Sequence, residues 1–173
     1  MSWSEIGGGP RSRAGAAWAV AAATLLLASC GFHLQGRVPL PATLAVTHID
    51  AEDAQSDFVQ QLRRQLIASG ARVAARREGA TAVVSVERDA LTERILSVSA
   101  ENLPREYELT YSVRFRVGDG TRELIAPEEL TATRDFSFDE RTALAKEREK
   151  ELLSDALARD LAGLVLRRLA TLP

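Results

Sequence analysis

Within residues 105–117, apolar and polar side chains alternate more regularly than anywhere else in the chain. Successive side chains of a β-strand point to opposite faces of a sheet, so the alternation predicts a half-buried antiparallel strand. Its predicted buried face carries Tyr107, Leu109, Tyr111, Val113, Phe115 and Val117. Its predicted polar face carries Glu106, Glu108, Thr110, Ser112, Arg114 and Arg116.

Other segments predict partners for this strand. A Gly-Asp-Gly sequence at 118–120 is typical of a hairpin turn, so the next strand follows directly. Pro127 lacks an N–H group and therefore predicts a bulge or a sheet edge. Whether 73–75 forms a short additional strand is left open by its pattern. The other predicted strands are 43–49, 81–99 with an irregularity at residues 88–89, and 121–138.

Two segments show the spacing of amphipathic helices. Residues 56–69 place Phe58, Leu62 and Leu66 on one face, with Asp53 or Ser56 as cap and Gly70 as stop. A longer helix is predicted from Asp139 to about Leu169, with an apolar stripe at 153–165. The order of elements predicts an α+β fold: two helices packed on one face of a mostly antiparallel four-stranded sheet, a two-layer sandwich. The first strand is expected to pair in parallel through the first helix.

The N-terminal residues have the composition of a secretory signal. Arg11 and Arg13 precede an apolar run that ends in Leu-Ala-Ser-Cys at 27–30, and Cys30 is the only cysteine. This run resembles a bacterial lipobox, whose cysteine is acylated after cleavage of the preceding chain. The alternative, a transmembrane helix, needs about 20 apolar residues. We therefore predict a signal peptide at 1–29, a lipidated tether at 30–41 and a single α+β domain at 42–173.

The mature chain offers little for catalysis. Its net charge is −3, from 20 Lys and Arg against 23 Asp and Glu, so nothing indicates a nucleic-acid partner. The sequence lacks the zinc-protease, serine-hydrolase, P-loop and dinucleotide-binding motifs. His33 lies in the tether, and His48 lies in a strand, where a packed imidazole is expected. We expect no enzyme activity, no metal and no cofactor.

Residues 141–150 form a dense run of alternating charges that includes Lys146. The pattern alone favours a solvated helix face, supported by pairs of opposite charge one turn apart.

Several short motifs, in the same order, resemble the LptE family of lipopolysaccharide-assembly lipoproteins. They are Cys-Gly-Phe-His-Leu-Gln-Gly at 30–36, Glu-Tyr at 106–107, Thr-Arg-Asp-Phe at 133–136 and Ala-Leu-Ala-Lys-Glu at 143–147. The resemblance implies a two-helix layer on a four-stranded sheet, in agreement with the patterns above. It also implies an outer-membrane lipoprotein, anchored on the periplasmic side, that plugs an LptD-type β-barrel and helps it assemble lipopolysaccharide.

The resemblance further implies that the protein binds lipopolysaccharide through basic residues, of which Lys146 is the first match and Arg134 the second. The family also carries a basic residue near the tip of the loop before the Glu-Tyr strand. Here that loop, 97–102, has none, and Arg94 and Arg105 only flank it. The alternative function is a periplasmic adaptor lipoprotein that binds protein or peptidoglycan without contacting glycolipid.

Overall fold

A computed structural model describes residues 38–137 and 143–173, with side chains of the last segment described from Glu147 onward. Five strands form one sheet. They are β1 (Val46–Ala51), β2 (Arg72–Ala74), β3 (Ala82–Val98), β4 (Pro104–Gly118) and β5 (Glu123–Ser137).

The strands lie in the order β2–β1–β3–β4–β5. β1 is parallel to both of its neighbours, and the other pairs are antiparallel, as predicted. The sheet has five strands rather than four because Arg72–Ala74, the segment left open by the sequence, pairs with the start of β1. The first strand also starts later than predicted. Residues Ala42–Leu44 form a 3₁₀ turn closed by the Leu44 N–H and the Pro41 carbonyl oxygen, 2.9 Å apart.

The first helix, α1 (Asp57–Ala68), agrees with the sequence prediction at both ends. The Ser56 hydroxyl caps it by accepting a hydrogen bond from the Val59 N–H at 3.2 Å. Gly70 follows with a φ of +93°, a conformation that favours glycine and ends the helix. Ile67 is 56% exposed, whereas Leu62 and Leu66 on the packed face of the same helix are fully buried.

The second helix, α2 (Ala143–Leu169), ends where the sequence predicted. Its predicted start at Asp139 lies outside the described residues. Side chains on α2 contact α1 directly: Gln61 Nε2 donates to Asp155 Oδ1 at 2.6 Å, and Ser154 Oγ donates to Asp57 Oδ2 at 3.0 Å. Gln61 and Ser154 are both buried, so these bonds satisfy polar groups between the two helices.

Both helices lie on one face of the sheet, and the core fills the space between the two layers. Every residue predicted for the buried face of β4 is buried, and the opposite face is open. β5 forms an edge of the sheet, and residues 126–127 are bulged between the pairs Phe115–Glu128 and Val117–Ile125. Both interpretations of Pro127 are therefore confirmed. The described residues all belong to one compact unit, Arg37–Pro173.

Candidate functional site

Arg134 lies on the inner face of β5, where it faces α2. Its Nη2 is 3.0 Å from Asp160 Oδ2, and both side chains remain about half exposed. The guanidinium group is therefore accessible, but an anionic ligand must compete with a carboxylate for it. Because the pair is exposed, it contributes only about 0–1 kcal/mol to folding, and exchanging its partner costs little.

Lys146, the other predicted lipid-binding residue, belongs to the first turn of α2, and its side chain lies outside the described set. One turn later, Lys150 Nζ is 2.5 Å from Glu93 Oε2 on β3. The hydrogen bond to Glu93 raises the pKa of Lys150, and burial opposes that shift. Glu147, on the same helix, also raises the pKa of Lys150, as the alternating charges predicted, but the ion-pair partner of Lys150 comes from the sheet.

Two of the ion-pair partners of α2 lie on one rung of the sheet, that is, one row of residues paired across neighbouring strands. Glu93 is opposite Leu109, and Leu109 is opposite Arg134, so the three residues cross three strands at the same level. Glu93 therefore holds a cation of α2, and Arg134 holds an anion of the same helix. The first turn of α2, which contains Lys146, comes one helical turn before the contact with Glu93.

The hairpin formed by β3 and β4 ends in an apolar tip. Ile95 and Val98 are each more than half exposed, and Leu96 and Leu103 nearly so. Arg94, at the edge of this tip, pairs with Glu108 at 2.9 Å. In the turn itself, a hydrogen bond from the Glu101 N–H to Ser99 Oγ at 3.2 Å helps to order the backbone. Consecutive apolar residues at 95–96 break the alternation of β3, which is the sequence signal that could have indicated this surface.

The open face of the sheet is polar and has low relief at its centre. Two rungs there carry only small side chains: Ala90, Ser112 and Thr131 on one, and Thr92, Thr110 and Thr133 on the next. Towards one end of the face, Arg114 and Arg116 both pair with Glu87, at 3.1 and 3.2 Å. The polar face that the sequence predicted for β4 is therefore confirmed.

Asp89 joins three elements of the fold. It accepts hydrogen bonds from the hydroxyl of Ser56, the cap of α1, and from the Tyr111 hydroxyl on β4 at 2.7 Å. Asp89 follows the irregularity in β3, which the sequence placed at residues 88–89. Burial, followed by the bond to Asp89, raises the pKa of Tyr111 above its usual range. This arrangement uses every polar group internally, so it is a structural network.

The described residues contain no group of three or more His, Cys, Asp or Glu side chains placed to hold a metal ion. His48 is hydrogen-bonded through Nδ1 to the Ala74 carbonyl oxygen at 3.0 Å, as expected for a packed imidazole. No helix in the part of the chain that the structure describes combines the length and apolarity needed to cross a bilayer. Cys30, the predicted lipidation site, lies outside the described residues.

Comparison with known families shows which family this two-layer domain belongs to. Residues 42–169, nearly the whole two-layer domain, match the model of the LptE family, described as lipopolysaccharide-assembly. The chain belongs to the LptE family. The match spans β1 to the end of α2, so it covers both the open sheet face and the rung that holds α2.

Individual relatives agree with this assignment. The LPS-assembly lipoprotein LptE of Pectobacterium atrosepticum is 26% identical over 152 residues, which cover 87% of this chain and 82% of the relative. A lipoprotein B from Nitrosomonas europaea, solved by NMR, superposes with a TM-score of 0.67 at 29% identity, covering 81% of this chain and 90% of its own. The rare lipoprotein B from Shewanella oneidensis gives a TM-score of 0.63 at 28% identity, covering 73% and 94%. The α+β two-layer architecture is therefore shared with LptE-like lipoproteins.

Proposed function

We propose that this protein is an outer-membrane lipoprotein, acylated at Cys30, that plugs an LptD-type β-barrel and assists it in lipopolysaccharide assembly. The observation that carries the proposal is the match to the LptE family across the whole domain. The N-terminal sequence supports it, because a charged and then apolar run ends in a small residue followed by the single cysteine. Gly31 follows that cysteine, whereas an aspartate there usually retains bacterial lipoproteins in the inner membrane.

The open sheet face supports the role as a plug. The interior of a large outer-membrane barrel is polar and water-filled. A plug for such a barrel needs a polar surface of low relief, and the Ser, Thr and Ala rungs of the open face provide one. Arg114 and Arg116 extend from the same face as charged groups that a barrel wall of opposite charge would bind. The proposed role is one of shape and charge, without catalysis.

Lipopolysaccharide binding is proposed at the end of the domain where α2 begins. Lys146 would bind a phosphate of the lipid as a point charge, and Arg134 would bind one through its planar guanidinium group. Arg134 must leave Asp160 to do so, which the exposure of that pair allows. The aliphatic side chains of the hairpin tip provide an apolar surface suited to the acyl part of the same ligand.

The decisive experiment for the plug is purification of the native lipoprotein from outer membranes in mild detergent. We expect one large β-barrel protein to accompany it in a one-to-one ratio. Charge reversal at Arg114 and Arg116 should lower the yield of that barrel more than reversal at Arg63 and Arg64 on α1. A protein that is recovered alone, and that cross-links only to soluble periplasmic partners, would favour the adaptor function instead.

The lipid site is tested separately. The double variant Lys146→Glu/Arg134→Glu should weaken lipopolysaccharide binding, and rising salt should weaken binding by the parent protein through screening. Reversal of Arg64 and Arg88, which are exposed arginines away from the start of α2, is the matched control. If the two double variants bind lipopolysaccharide equally and both are folded, residues 141–150 form only a solvated helix face and do not bind the lipid.

The anchor has its own test. Cys30→Ala should abolish incorporation of labelled palmitate, because no other cysteine is present to accept an acyl chain. Incorporation that persists in the variant would show that the lipobox assignment is wrong.

A further inference from the structure

Arginine side chains converge on a cavity at the end of the sheet where β1 and β3 begin and β4 ends. The cavity has a volume of about 230 Å³, and Arg77, Arg116 and Arg122 line it together with a single carboxylate, that of Glu123. By contrast, a cavity of about 220 Å³ at the start of α1 has one arginine in its lining and four carboxylates, those of Glu52, Asp53, Glu87 and Asp89. The two cavities therefore have opposite charge.

The three arginines differ in how firmly they are held. Arg116 Nε is 3.2 Å from Glu87 and Arg122 Nε is 3.0 Å from Asp119, but more than half of each side chain is exposed. The Arg77 carbonyl oxygen accepts a hydrogen bond from the Ala80 N–H at 3.1 Å, but its guanidinium group has no hydrogen-bond or ion-pair partner among the described residues. Ser85, which also lines the cavity, adds a hydroxyl group without a described partner. These are the groups that bind phosphate: guanidinium groups with parallel N–H donors, and a hydroxyl donor.

The same end of the domain receives the N-terminal chain. β1 begins at Val46, whose N–H donates a hydrogen bond to Thr81 Oγ1 at 3.1 Å. Val83, two residues after Thr81, lies opposite Gly118, and both residues line the cavity. Val38 is the first described residue and packs against the core. The eight residue steps from Cys30 to Val38 span at most about 29 Å in any conformation. An acylated Cys30 would therefore hold Val38 within that distance of the membrane, in the segment that leads into β1.

We propose that this cavity, lined by Arg77, Arg116 and Arg122, binds the phosphate groups of anionic phospholipids in the leaflet that holds the anchor. The inference rests on the proposed acylation of Cys30, and it is independent of lipopolysaccharide binding at the start of α2. A lipid anchor and a basic patch act together, because the anchor raises the local concentration of headgroups and the patch selects anionic ones. The contact would orient the domain so that its basic end, and not the hairpin tip, faces the headgroups.

The test uses the acylated lipoprotein, purified in detergent and reconstituted into vesicles. Because Cys30 carries the lipid, Ala75→Cys introduces the only free thiol, in the loop beside Arg77. Energy transfer from a dye on this thiol to headgroup-labelled lipid measures how closely the basic end approaches the bilayer. We expect stronger energy transfer in vesicles that contain phosphatidylglycerol than in phosphatidylcholine vesicles. The difference should disappear at 1 M salt, where the Debye length is only about 3 Å and charges farther apart are screened. A dye at Ala100→Cys, in the turn of the hairpin tip, should show no such difference.

Neutralising the cavity should remove the effect. Each arginine near an anionic surface adds about fivefold to the binding constant, so Arg77→Gln/Arg116→Gln/Arg122→Gln should weaken docking about a hundredfold. The matched control is Arg88→Gln/Arg94→Gln/Arg105→Gln, which removes the same charge away from this cavity and should leave transfer unchanged. High salt on the unmodified protein gives the same information without any change to the fold.

Each other outcome is informative. Equal transfer in the two kinds of vesicle, or undiminished transfer in the cavity variant, would overturn the proposal while leaving the barrel partnership intact. A cavity variant that keeps its transfer but no longer co-purifies with the barrel would overturn the proposal and leave Arg116 only in its barrel contact; Arg77→Gln/Arg122→Gln, which spares Arg116, should still lose transfer if the proposal is right. Failure of the parent protein to enter even phosphatidylcholine vesicles would show that the anchor is absent, and would overturn the proposal together with the lipoprotein assignment.

Discussion

Glu93 on β3 and Arg134 on β5 lie on the same rung of the sheet, separated only by Leu109 of β4. Each binds α2 through a group of the opposite charge: Glu93 contacts Lys150 at 2.5 Å, and Arg134 contacts Asp160 at 3.0 Å. The two pairs disfavour any sliding of α2 along the sheet, because a shift would separate both. The position of Arg134 in such a pair bears directly on its proposed contact with lipid phosphate.

The first prediction concerns the affinity for lipopolysaccharide when Arg134 is freed from Asp160. Asp160→Asn removes the competing carboxylate but retains an oxygen acceptor, so lipopolysaccharide should bind more tightly, by up to about fivefold for a pair worth as much as 1 kcal/mol. Arg134→Gln should have the opposite effect. Both variants should lose at most about 1 kcal/mol of unfolding free energy in urea, because the pair is exposed.

Glu128→Gln is the matched control for this experiment. It frees Arg168 from an ion pair of 2.9 Å and similar exposure, elsewhere on the same two elements. Affinity that rises equally in Asp160→Asn and Glu128→Gln would reflect net charge alone. Affinity that stays constant in both would exclude Arg134 from the phosphate site.

The sequence predicted the layers of this fold well because each depends on local patterns. The alternation in β4, the cap at Ser56 and the stop at Gly70 are all set by neighbouring residues. The fifth strand was left open because β2 has only three residues and exists through its pairing with β1. The ion pair of Lys150 was not predicted for a related reason: Glu93 is 57 positions away in the chain, and only the packing of α2 on the sheet brings the two together.

The network around Asp89 supports a second prediction. Tyr111→Phe removes a buried hydroxyl from a bond of 2.7 Å to Asp89, so it should lower the unfolding free energy by about 1 kcal/mol. Ser56→Ala should cost about the same, because the hydroxyl both caps α1 and donates to Asp89. Urea unfolding of the two single variants and the double variant forms a cycle. Because both groups share one carboxylate, the losses should not add, and strict additivity would show that the network is uncoupled.

Two glycines give a paired third prediction. Gly163 lies within α2, and a Cβ there would meet Arg167 Nη1 at 3.5 Å and Gln65 Oε1 at 3.7 Å, which are ordinary contacts. Gly163→Ala should therefore raise the unfolding free energy by about 0.5–1 kcal/mol through helix propensity. Gly70→Ala should lower it, since Gly70 has a φ of +93° that alanine adopts only with strain. Stabilisation by both substitutions in urea would contradict the described end of α1.

The turn between β4 and β5 supports a pH-dependent prediction. The Thr121 hydroxyl and N–H donate to Asp119 Oδ1 at 2.7 and 2.9 Å, and the Arg122 N–H donates at 3.0 Å. These bonds, led by the Thr121 hydroxyl, hold the pKa of Asp119 well below its usual value of 3.8. A lowered folded-state pKa stabilises the protein fully above the unfolded pKa, and that stabilisation is lost as the pH falls through about 4 and below. Asp119→Asn should therefore be less stable than the parent at neutral pH, and the difference should shrink steadily in acid.

Urea unfolding of the parent and of Asp119→Asn, measured from neutral pH down to about pH 2, checks this expectation. Asp135→Asn is the control, because the Asp135 carboxylate is exposed on β5 and has no hydrogen-bond partner among the described residues. This variant measures the effect of removing one exposed carboxylate that accepts no hydrogen bond from a described residue. If Asp119→Asn keeps a constant difference down to the lowest pH, the hydrogen bonds at Asp119 do not stabilise the turn, and the arginine that shares it, Arg122, is held in the basic cavity by other contacts.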